Sequence, residues 1–575
     1  MNYFGTYRMD SGMRTSGICD APCISKGTMM LAGFDTASNA GCMALSFGHM
    51  RNRAALAREL KTAPYASAAQ ILLSAYEKWG EDYVLHVEGG VTSCIADVQR
   101  EKMVLARDRM GECSVFYAEN GGRFMFADHP DMILKSGIAE ARVGAQGLCE
   151  LFAMGPARTP GCTPLEGIKS LQPGCMLAFE GGNAQIRRYF ELECAPVDDG
   201  EALAAEKVRH LIEQAVGDTV HMHPGCMLSG GLDSTALTAV LCTRIGRVES
   251  YSVDYADNDR DFVSSAFRPE KDAPYIRLAS KTFGTRHHNV VLEQGALAEN
   301  LDRAVRFRGF PGMADIDASL YLFAGQIAKR SASVISGECG DEVFGGYPWF
   351  RGEVKLPEHS FPWSGSMELR GGLLRREIAE KIRPAEYVSE RLHAALDSYD
   401  TAALEDREER TLFKLQRLCF DFFMPNLQER ASAMCGAQGV TVLTPLCDDR
   451  LVRYVYNVPW RLKRRDGVEK ALFRESVRDL LPEKLCMRKK SPYPKTCSPT
   501  YTELVRQRFK TIAMDEGAPL WRCIDREAAL KLAASSLNPA DTPWFGQLMA
   551  GPQMIAYLIQ VNSWMAERNV QIELG

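Results

Sequence analysis

An α/β fold in two parts is what the sequence predicts, and three observations predict it. The first 192 or so residues carry short apolar runs broken by Gly, Asn and Asp, which reads as strands and turns. From residue 226 onward strand-like runs alternate with helical ones, the pattern of a parallel sheet. Between the two, a Pro-Val-Asp-Asp-Gly segment at 196–200 gives way to a long helical period, so the boundary falls near 193–202 and the domains are 1–195 and 196–575.

In the first part the runs Cys94–Val98, Met103–Ala106 and Ser114–Tyr117 read as strands and Ala66–Trp79 as the one helix. In the second, a helix over Ala202–Val216 leads into strand Cys226–Leu228, followed by strands over Val248–Val253 and Ala332–Ile335. Helices are expected over Ala236–Cys242, Pro274–Phe283 and Leu320–Lys329. The last third is mostly helical, with the charge-rich stretch Met367–Arg410 read as a solvated helical insertion.

A chain of 575 residues, 46% hydrophobic and 25% charged, has ample material for packed cores. Its net charge of -5 and lack of basic blocks argue against nucleic acid as a main partner. No run approaches the ~18 apolar residues of a membrane span, and no apolar leader opens the chain, so no membrane partner and a cytoplasmic location are expected. The 18 cysteines are scattered, and Cys19 and Cys23 lack a second pair at zinc-ribbon spacing, so free thiols are expected.

The motif Leu228-Ser229-Gly230-Gly231-Leu232-Asp233-Ser234-Thr235 lies where an apolar strand gives way to a helix. Paired glycines let a ligand approach the backbone, the two serines add hydroxyls, and the helix N-terminus offers N–H groups to an anion, so the turn is built for phosphate. A carboxylate there repels phosphate unless Mg²⁺ lies between, which makes Asp233 a candidate metal ligand. The second motif, Ser336-Gly337-Glu338-Cys339-Gly340-Asp341-Glu342, crowds three acids at a strand end, a costly arrangement without a cation or proton-transfer role. Asp341 joins Asp233 as a candidate Mg²⁺ ligand, Glu338 is a candidate catalytic acid or base, and Glu342 is either functional or paired with a basic neighbour. His287 and His288 read as a packed, hydrogen-bonded pair rather than ligands.

The first motif resembles the pyrophosphate loop of the N-type ATP pyrophosphatases. The second, continued through Val343-Phe344-Gly345-Gly346-Tyr347, resembles the matching element of the asparagine synthetases, as do Gly284–His288, Thr444–Asp448, Glu469-Lys470 and Arg488–Lys495. The resemblance implies ATP and Mg²⁺, with Leu228, Ser229, Gly230, Gly231, Asp233, Ser234, Val253, Ser336 and Gly337 around the nucleotide. It also implies that Lys490 faces the α-phosphate or the intermediate, while Lys489 reads as a surface charge. The chemistry implied is attack of a substrate carboxylate on the α-phosphorus, giving an acyl-adenylate and pyrophosphate, then attack by nitrogen and loss of AMP.

The resemblance further implies a degenerate Ntn-hydrolase-like αββα glutaminase sandwich, followed by a parallel-sheet ATP-pyrophosphatase (HUP-like) synthetase domain with a helical C-terminal region. Ala106–Gly111, Ser114–Tyr117 and Leu171–Leu177 match strands of that sandwich. Its chemistry is replaced: Asn2 stands where the family has its nucleophilic Cys, Phe47–Asn52 replaces an Asn-Gly-Glu segment, and Ser67–Gln70 replaces Ser-Asp-Thr-Glu. Neither Cys19 nor Cys23 is expected to substitute, and glutaminase activity is expected to be absent.

That leaves ammonia as nitrogen source for an aspartate-to-asparagine reaction. The alternatives are an amine already on the substrate, giving a ring as in lasso-peptide cyclases and β-lactam synthetases, and amidation of another carboxylate. A catalytically silent relative of the same fold is a further alternative. Asp315 and Asp317 are either contacts for an amine-bearing substrate or capping and ion-paired acids. The expected partners are a small-molecule or peptide carboxylate and an amine or ammonia, with a homodimer left open.

Overall fold

In the N-terminal part, apolar residues fall on both faces of consecutive strands, and the consequence is a layered sandwich. The computed structural model describes residues 2–8, 21–262, 264, 270–365, 367–465, 467–539 and 541–574. One sheet has six antiparallel strands in the order Lys169–Ser170, Phe116–Asn120, Arg123–Ala127, Phe4–Tyr7, Met29–Ala32, Cys23–Lys26. The other runs Asn183–Arg188, Cys175–Glu180, Lys102–Ala106, Val91–Asp97, Cys42–Gly48, Asp35–Ser38.

Strand Val91–Asp97 is buried along its whole length. Its Cys94 and Ala96 enter the core between the sheets, with Leu31 and Phe126 opposite, while Val91 and Ile95 face helix Ala68–Trp79 on the outer side. That alternation follows from the two-residue period of a strand. The helix starts where its capping residues dictate: Ser67 Oγ accepts from the Gln70 N–H, and Gln70 Oε1 accepts from the Ser67 N–H. Helix Pro130–Ser136 packs on the other sheet, completing four layers.

The second part is built on a five-stranded, all-parallel sheet in the order Arg286–Leu292, Glu249–Tyr255, Gly225–Met227, Ser333–Ile335, Thr441–Leu443. The chain winds outward one way from Gly225–Met227 and then returns to its other side, so this strand and Ser333–Ile335 flank a topological switch point. Ligands bind α/β sheets at the carboxyl ends of such strands, and both Gly-rich motifs leave the sheet there. The α/β class and the parallel sheet are as the sequence predicts.

By its contacts the chain divides into two compact units. One comprises Met1–Gly147, Arg158–Leu192 and Gln571–Gly575, and the other Leu148–Ala157 and Glu193–Val570. Within the first, Arg142–Val143 pairs in parallel with Gln571–Ile572. Within the second, the π-helix Glu150–Met154 is held by Tyr387, which donates to Glu150 Oε1 at 2.5 Å, and by Tyr557, which donates to the Leu151 carbonyl at 2.7 Å.

Boundaries move by a few residues where local patterning is silent. The strand expected at Ser114–Tyr117 is Phe116–Asn120, because Ser114 is outside the ladder and its carbonyl accepts from Tyr3 Oη at 2.5 Å. The helix expected at Leu320–Lys329 is Asp315–Ile327, and that expected at Ala236–Cys242 is Leu232–Ile245, starting inside the Leu228–Thr235 motif. Met367–Arg410 is not merely a solvated insertion. Its helices Arg376–Ile382 and Pro384–Ser398 bury Ile378, Ile382, Val388, Leu392 and Leu396, an apolar stripe hidden from composition by the charges on the opposite face. No helix among the described residues is long and apolar enough to cross a membrane.

Candidate active site

Strand Gly225–Met227 delivers the chain to Leu228, whose N–H donates to the Tyr251 carbonyl at 2.7 Å. Gly230 then turns with φ +70, and a Cβ on it would lie 2.8 Å from the Ile276 nitrogen, so no other residue fits. The turn closes on itself: Ser234 Oγ accepts from the Ser229 N–H at 3.2 Å, lies 3.0 Å from Ser229 Oγ and donates to the Gly231 carbonyl at 3.2 Å. Helix Leu232–Ile245 follows with Gly231 as N-cap and no side-chain cap, which leaves its first-turn N–H groups for an anion.

Strand Ser333–Ile335 delivers the second motif. Ser336 Oγ accepts from the Glu338 N–H at 3.3 Å, Cys339 adopts φ +72, and the one-turn helix Gly340–Phe344 carries Asp341 and Glu342. The two motifs interlock through glycines. A Cβ on Gly337 would lie 3.0 Å from Asp233 Cβ, one on Gly340 2.8 Å from Asp233 Cγ, and one on Gly346 2.0 Å from Asp341 Oδ1.

Two lysines bind the acids together. Lys470 Nζ lies 2.7 Å from both Asp233 oxygens and 2.6 Å from Asp341 Oδ1, and Lys490 Nζ pairs with Asp341 Oδ2. Burial works against the charge on Lys470, yet the two carboxylates outweigh it and hold the ammonium above its ordinary value. For Asp341 burial likewise raises the carboxyl, and Lys470 and Lys490 overcome it and drive it well below the usual range. For Asp233 burial prevails and raises it, with Lys470 opposing.

Among the described residues no group of three or more His, Cys, Asp or Glu could hold a metal by itself. Two carboxylates converging on one cation position nevertheless suit Mg²⁺, which binds through one or two protein carboxylates and completes its shell with phosphate oxygens and water.

Glu338 pairs through Oε1 with Arg430 at 2.5 Å, and its buried Oε2 has no hydrogen-bond partner among the described residues. Glu342 makes no ion pair with a basic side chain among the described residues: Tyr347 Oη donates to its Oε1 at 2.6 Å, and burial with nearby Asp341 pushes the carboxyl up to about 7, with Lys490 opposing. Asp315 and Asp317 are bonded within the fold and do not line the cavity that Asp233 and Asp341 line, which fits capping or ion-paired acids. Both are essentially inaccessible; Asp317 pairs with Arg308 at 2.7 Å and accepts from the Met313 N–H, and Gln553 donates to Asp315.

Leu228, Ser229, Gly231, Asp233, Ser234, Val253, Ser336, Gly337, Glu338, Asp341 and Lys490 line one cavity of about 220 Å³. Gly230, expected with them, does not line the cavity and is turned toward Tyr275 and Ile276. Against known proteins, the family model Asparagine synthase matches residues 207–566 and the Glutamine amidotransferase domain matches residues 39–190. A glutamine-hydrolyzing asparagine synthetase of Bacillus subtilis, number 3, is 37% identical over 542 residues, covering 92% of this chain and 87% of its own. The chain belongs to the asparagine synthase family. Further off are a putative asparagine synthetase of Methanocaldococcus jannaschii, 26% identical over 48% of this chain and 53% of its own, and amidase chyE of Penicillium rubens, 24% identical over 52% and 45%.

As a member of this family the chain carries a carbon-nitrogen ligase domain and an amidotransferase-type domain. Sequence reasoning passed over several residues of the ligase cavity. Lys470 was visible only as half of a shared Glu-Lys pair, and its position at φ +55 before a helix gave no sign that its ammonium would sit between two aspartates. Arg430 lies on helix Met424–Gly436, far in sequence from Glu338, and nothing local marks it. Arg488, which also lines the cavity, pairs with Asp272 and donates to the Ser229 carbonyl at 3.0 Å, bracing the Ser229–Ser234 turn.

The remaining candidates lie elsewhere. His287 accepts or donates between Ser250 and Ser252 hydroxyls, each at 3.0 Å, and burial lowers it to about 4. His288 Nε2 meets Glu249 at 2.5 Å. Lys489 is exposed. In the sandwich, Asn2 donates from its backbone and its side chain to Asp128 at 2.7 and 2.9 Å, directly before strand Phe4–Tyr7. Cys23 is exposed on strand Cys23–Lys26, and Cys19 lies outside the described residues. The described cysteines are free of disulfides.

Proposed function

We propose that the chain is an ATP-dependent amide ligase that adenylates a carboxylate, nominally aspartate, and passes the acyl group to ammonia, releasing pyrophosphate and AMP. The observation that supports it is the meeting, in one cavity, of the Ser229–Ser234 turn, the paired Asp233 and Asp341, and the two ammonium groups of Lys470 and Lys490. Five cationic side chains line that cavity, and each is matched by an acid, so the cavity alone supplies no net positive charge for a triphosphate. Mg²⁺ held by Asp233 and Asp341 together with phosphate oxygens would supply it and draw charge from the departing pyrophosphate.

The turn at Ser229–Ser234 and the first N–H groups of helix Leu232–Ile245 bind the β- and γ-phosphates, and Val253 with Gly337 borders the nucleotide. A carboxylate oxygen of the substrate attacks the α-phosphorus, the bond to the bridging oxygen of the β-phosphate breaks, and pyrophosphate leaves. Lys490 faces the charge that develops on the α-phosphate oxygens, a fixed cation where negative charge grows. Ammonia then attacks the acyl carbon, the bond to the AMP oxygen breaks, and the surplus proton on nitrogen passes to Glu338 Oε2, with Arg430 holding the other oxygen.

In this reading residues 1–195 are a glutaminase-type domain that no longer hydrolyses glutamine, residues 196–575 do the synthesis, and the enzyme works in the cytoplasm. Asn2, just ahead of the first strand, supports that reading, because an amide has no nucleophilic sulfur. The test is mass spectrometry of AMP, pyrophosphate and asparagine after incubation with Mg-ATP, aspartate and either ammonium or glutamine. Asparagine with ammonium and none with glutamine is the expected result. Asparagine with glutamine overturns the ammonia reading, and AMP formed only with a carboxylate that bears its own amine replaces aspartate by a ring-forming substrate.

A further inference from the structure

Helix Gly340–Phe344 carries Asp341 on a single turn, too little to hold itself. A helix leaves its last carbonyls without partners in its own backbone. Here the Glu342 and Val343 carbonyls both accept from Gln416 Nε2, at 3.0 and 2.7 Å. Gln416 lies on helix Arg407–Leu418 and is fully buried.

An amide offers donors or an acceptor according to which way round it sits. The direction here is set by Lys463, whose Nζ donates to Gln416 Oε1 at 3.1 Å and to the Tyr456 carbonyl at 3.3 Å, and lies 4.6 Å over the Trp460 ring. A flipped Gln416 would turn its N–H groups toward the Lys463 donors and leave both helix carbonyls unpaired.

Lys463 is an expensive residue in this position. It has no accessible surface, and among the described residues no carboxylate comes within ion-pair distance; burial lowers its amine to about 7, with Glu409 opposing. Glu409 itself accepts the Trp460 and Arg461 N–H groups, at 3.0 and 3.4 Å. A methionine would occupy similar space without the desolvation cost. What the amine provides that methionine cannot is a donor to Gln416.

We propose that Lys463 and Gln416 act as a positioning pair for the phosphate site: Lys463 orients the Gln416 amide, and the amide fixes the turn that aims Asp341. Neither side chain lines the cavity, so both act through Asp341. The proposal rests on the function proposed above, and its test is arranged to read it separately.

The experiment is calorimetric titration of the full chain with Mg²⁺ and α,β-methylene-ATP, which binds without turnover, for wild type, Lys463→Met, Gln416→Met and the double variant. Melting curves alongside identify the temperature range in which each is folded. Each single variant is expected to bind about tenfold more weakly, and the double no more weakly than the worse single, because the second change acts on a link already cut. Gln416→Glu provides a further variant: it keeps the size and the bond to Lys463, but turns oxygen toward both carbonyls and is expected to lose as much as Gln416→Met.

Binding within twofold of wild type by the folded singles overturns the proposal, as do single effects that multiply in the double. Wild-type binding without AMP formation in the product assay overturns the proposed reaction and leaves the positioning pair tested. No binding by wild type overturns both.

Discussion

The sandwich and the parallel-sheet unit keep different things in order. In the sandwich the ordered part is the scaffold. Arg107 is buried and donates to the carbonyls of Cys113 and Leu171, both at 2.7 Å, while Asp108 accepts the N–H groups of Met110, Glu112 and Cys113. The Ala106–Gly111 segment is thus a clasp for loops, and Asn2, held by Asp128, has no nucleophilic group. In the parallel-sheet unit the two strands at the switch point are three residues each, and the acids and serines of the motifs that follow them meet in one cavity. On the proposed function, burial selects for the first set of residues and phosphate chemistry for the second, and the sandwich keeps its scaffold without the glutaminase chemistry.

The sharpest test of that contrast is Lys490→Met. It removes one of the two cations beside Asp341, the one that faces the α-phosphate in the proposed mechanism, and AMP formation is expected to fall by about a thousandfold, as for loss of a group acting mainly in the transition state. A fall of less than tenfold would move the α-phosphate contact to another residue.

Next come two glycines, one in each unit. Gly346→Ala places a methyl 2.0 Å from Asp341 Oδ1 and 2.4 Å from Lys470 Cε, and is expected to cut AMP formation about a hundredfold in a folded protein. Gly5→Ala places one 2.2 Å from the Phe126 ring in the sandwich core. It is expected to cost about 1–3 kcal/mol of stability and leave the ammonium-dependent rate near wild type. Equal effects of both on that rate would abolish the distinction between the two units.

Much of this contrast was legible in the sequence, and the limits were physical. Ser229, Asp233 and Asp341 could be named because their motifs are local: the turn, its glycines and its acids lie within a few residues of one another. A strand at Cys94–Val98, observed as Val91–Asp97, could be located because apolar runs mark burial, though only the structure gives its start and separates its two cores. Lys470, Arg430 and Arg488 escaped because each reaches its acid from another element, and pairing over such distances leaves no local trace. Asp315 and Asp317 show the reverse failure. Acids near a motif invite a substrate role, whereas Arg308, close by in sequence, buries one of them in an ion pair.

Asp315 then yields a smaller effect, on stability and not on chemistry. Burial pushes its carboxyl up to about 6, with Gln553 opposing. A carboxyl raised in the folded state stabilises the fold while protonated, so its contribution is complete below about pH 4 and disappears as the pH rises through 6. Asp315→Asn is expected to match wild type in melting temperature near pH 4 and to exceed it at pH 8, by an amount on the order of 2 kcal/mol. Wild type more stable than Asp315→Asn at pH 8 would mean that the ionised form is held by a partner, and would reopen the question of a cationic ligand there.

The smallest expected effect is the most informative about the sandwich. Asn2→Ala removes the side-chain bond to Asp128 and keeps the backbone N–H that also donates to it. If the sandwich has no glutaminase chemistry, the ammonium-supported rate is unchanged and glutamine supports no asparagine formation before or after the change. Glutamine-dependent product in wild type that Asn2→Ala abolishes would place a working amide-hydrolysis site around Asn2 and Asp128. Glutamine-dependent product that survives the change would place it elsewhere in the same unit. Either result would make the two units alike in having kept their chemistry, and would require a nucleophile other than the sulfur that the family places before its first strand.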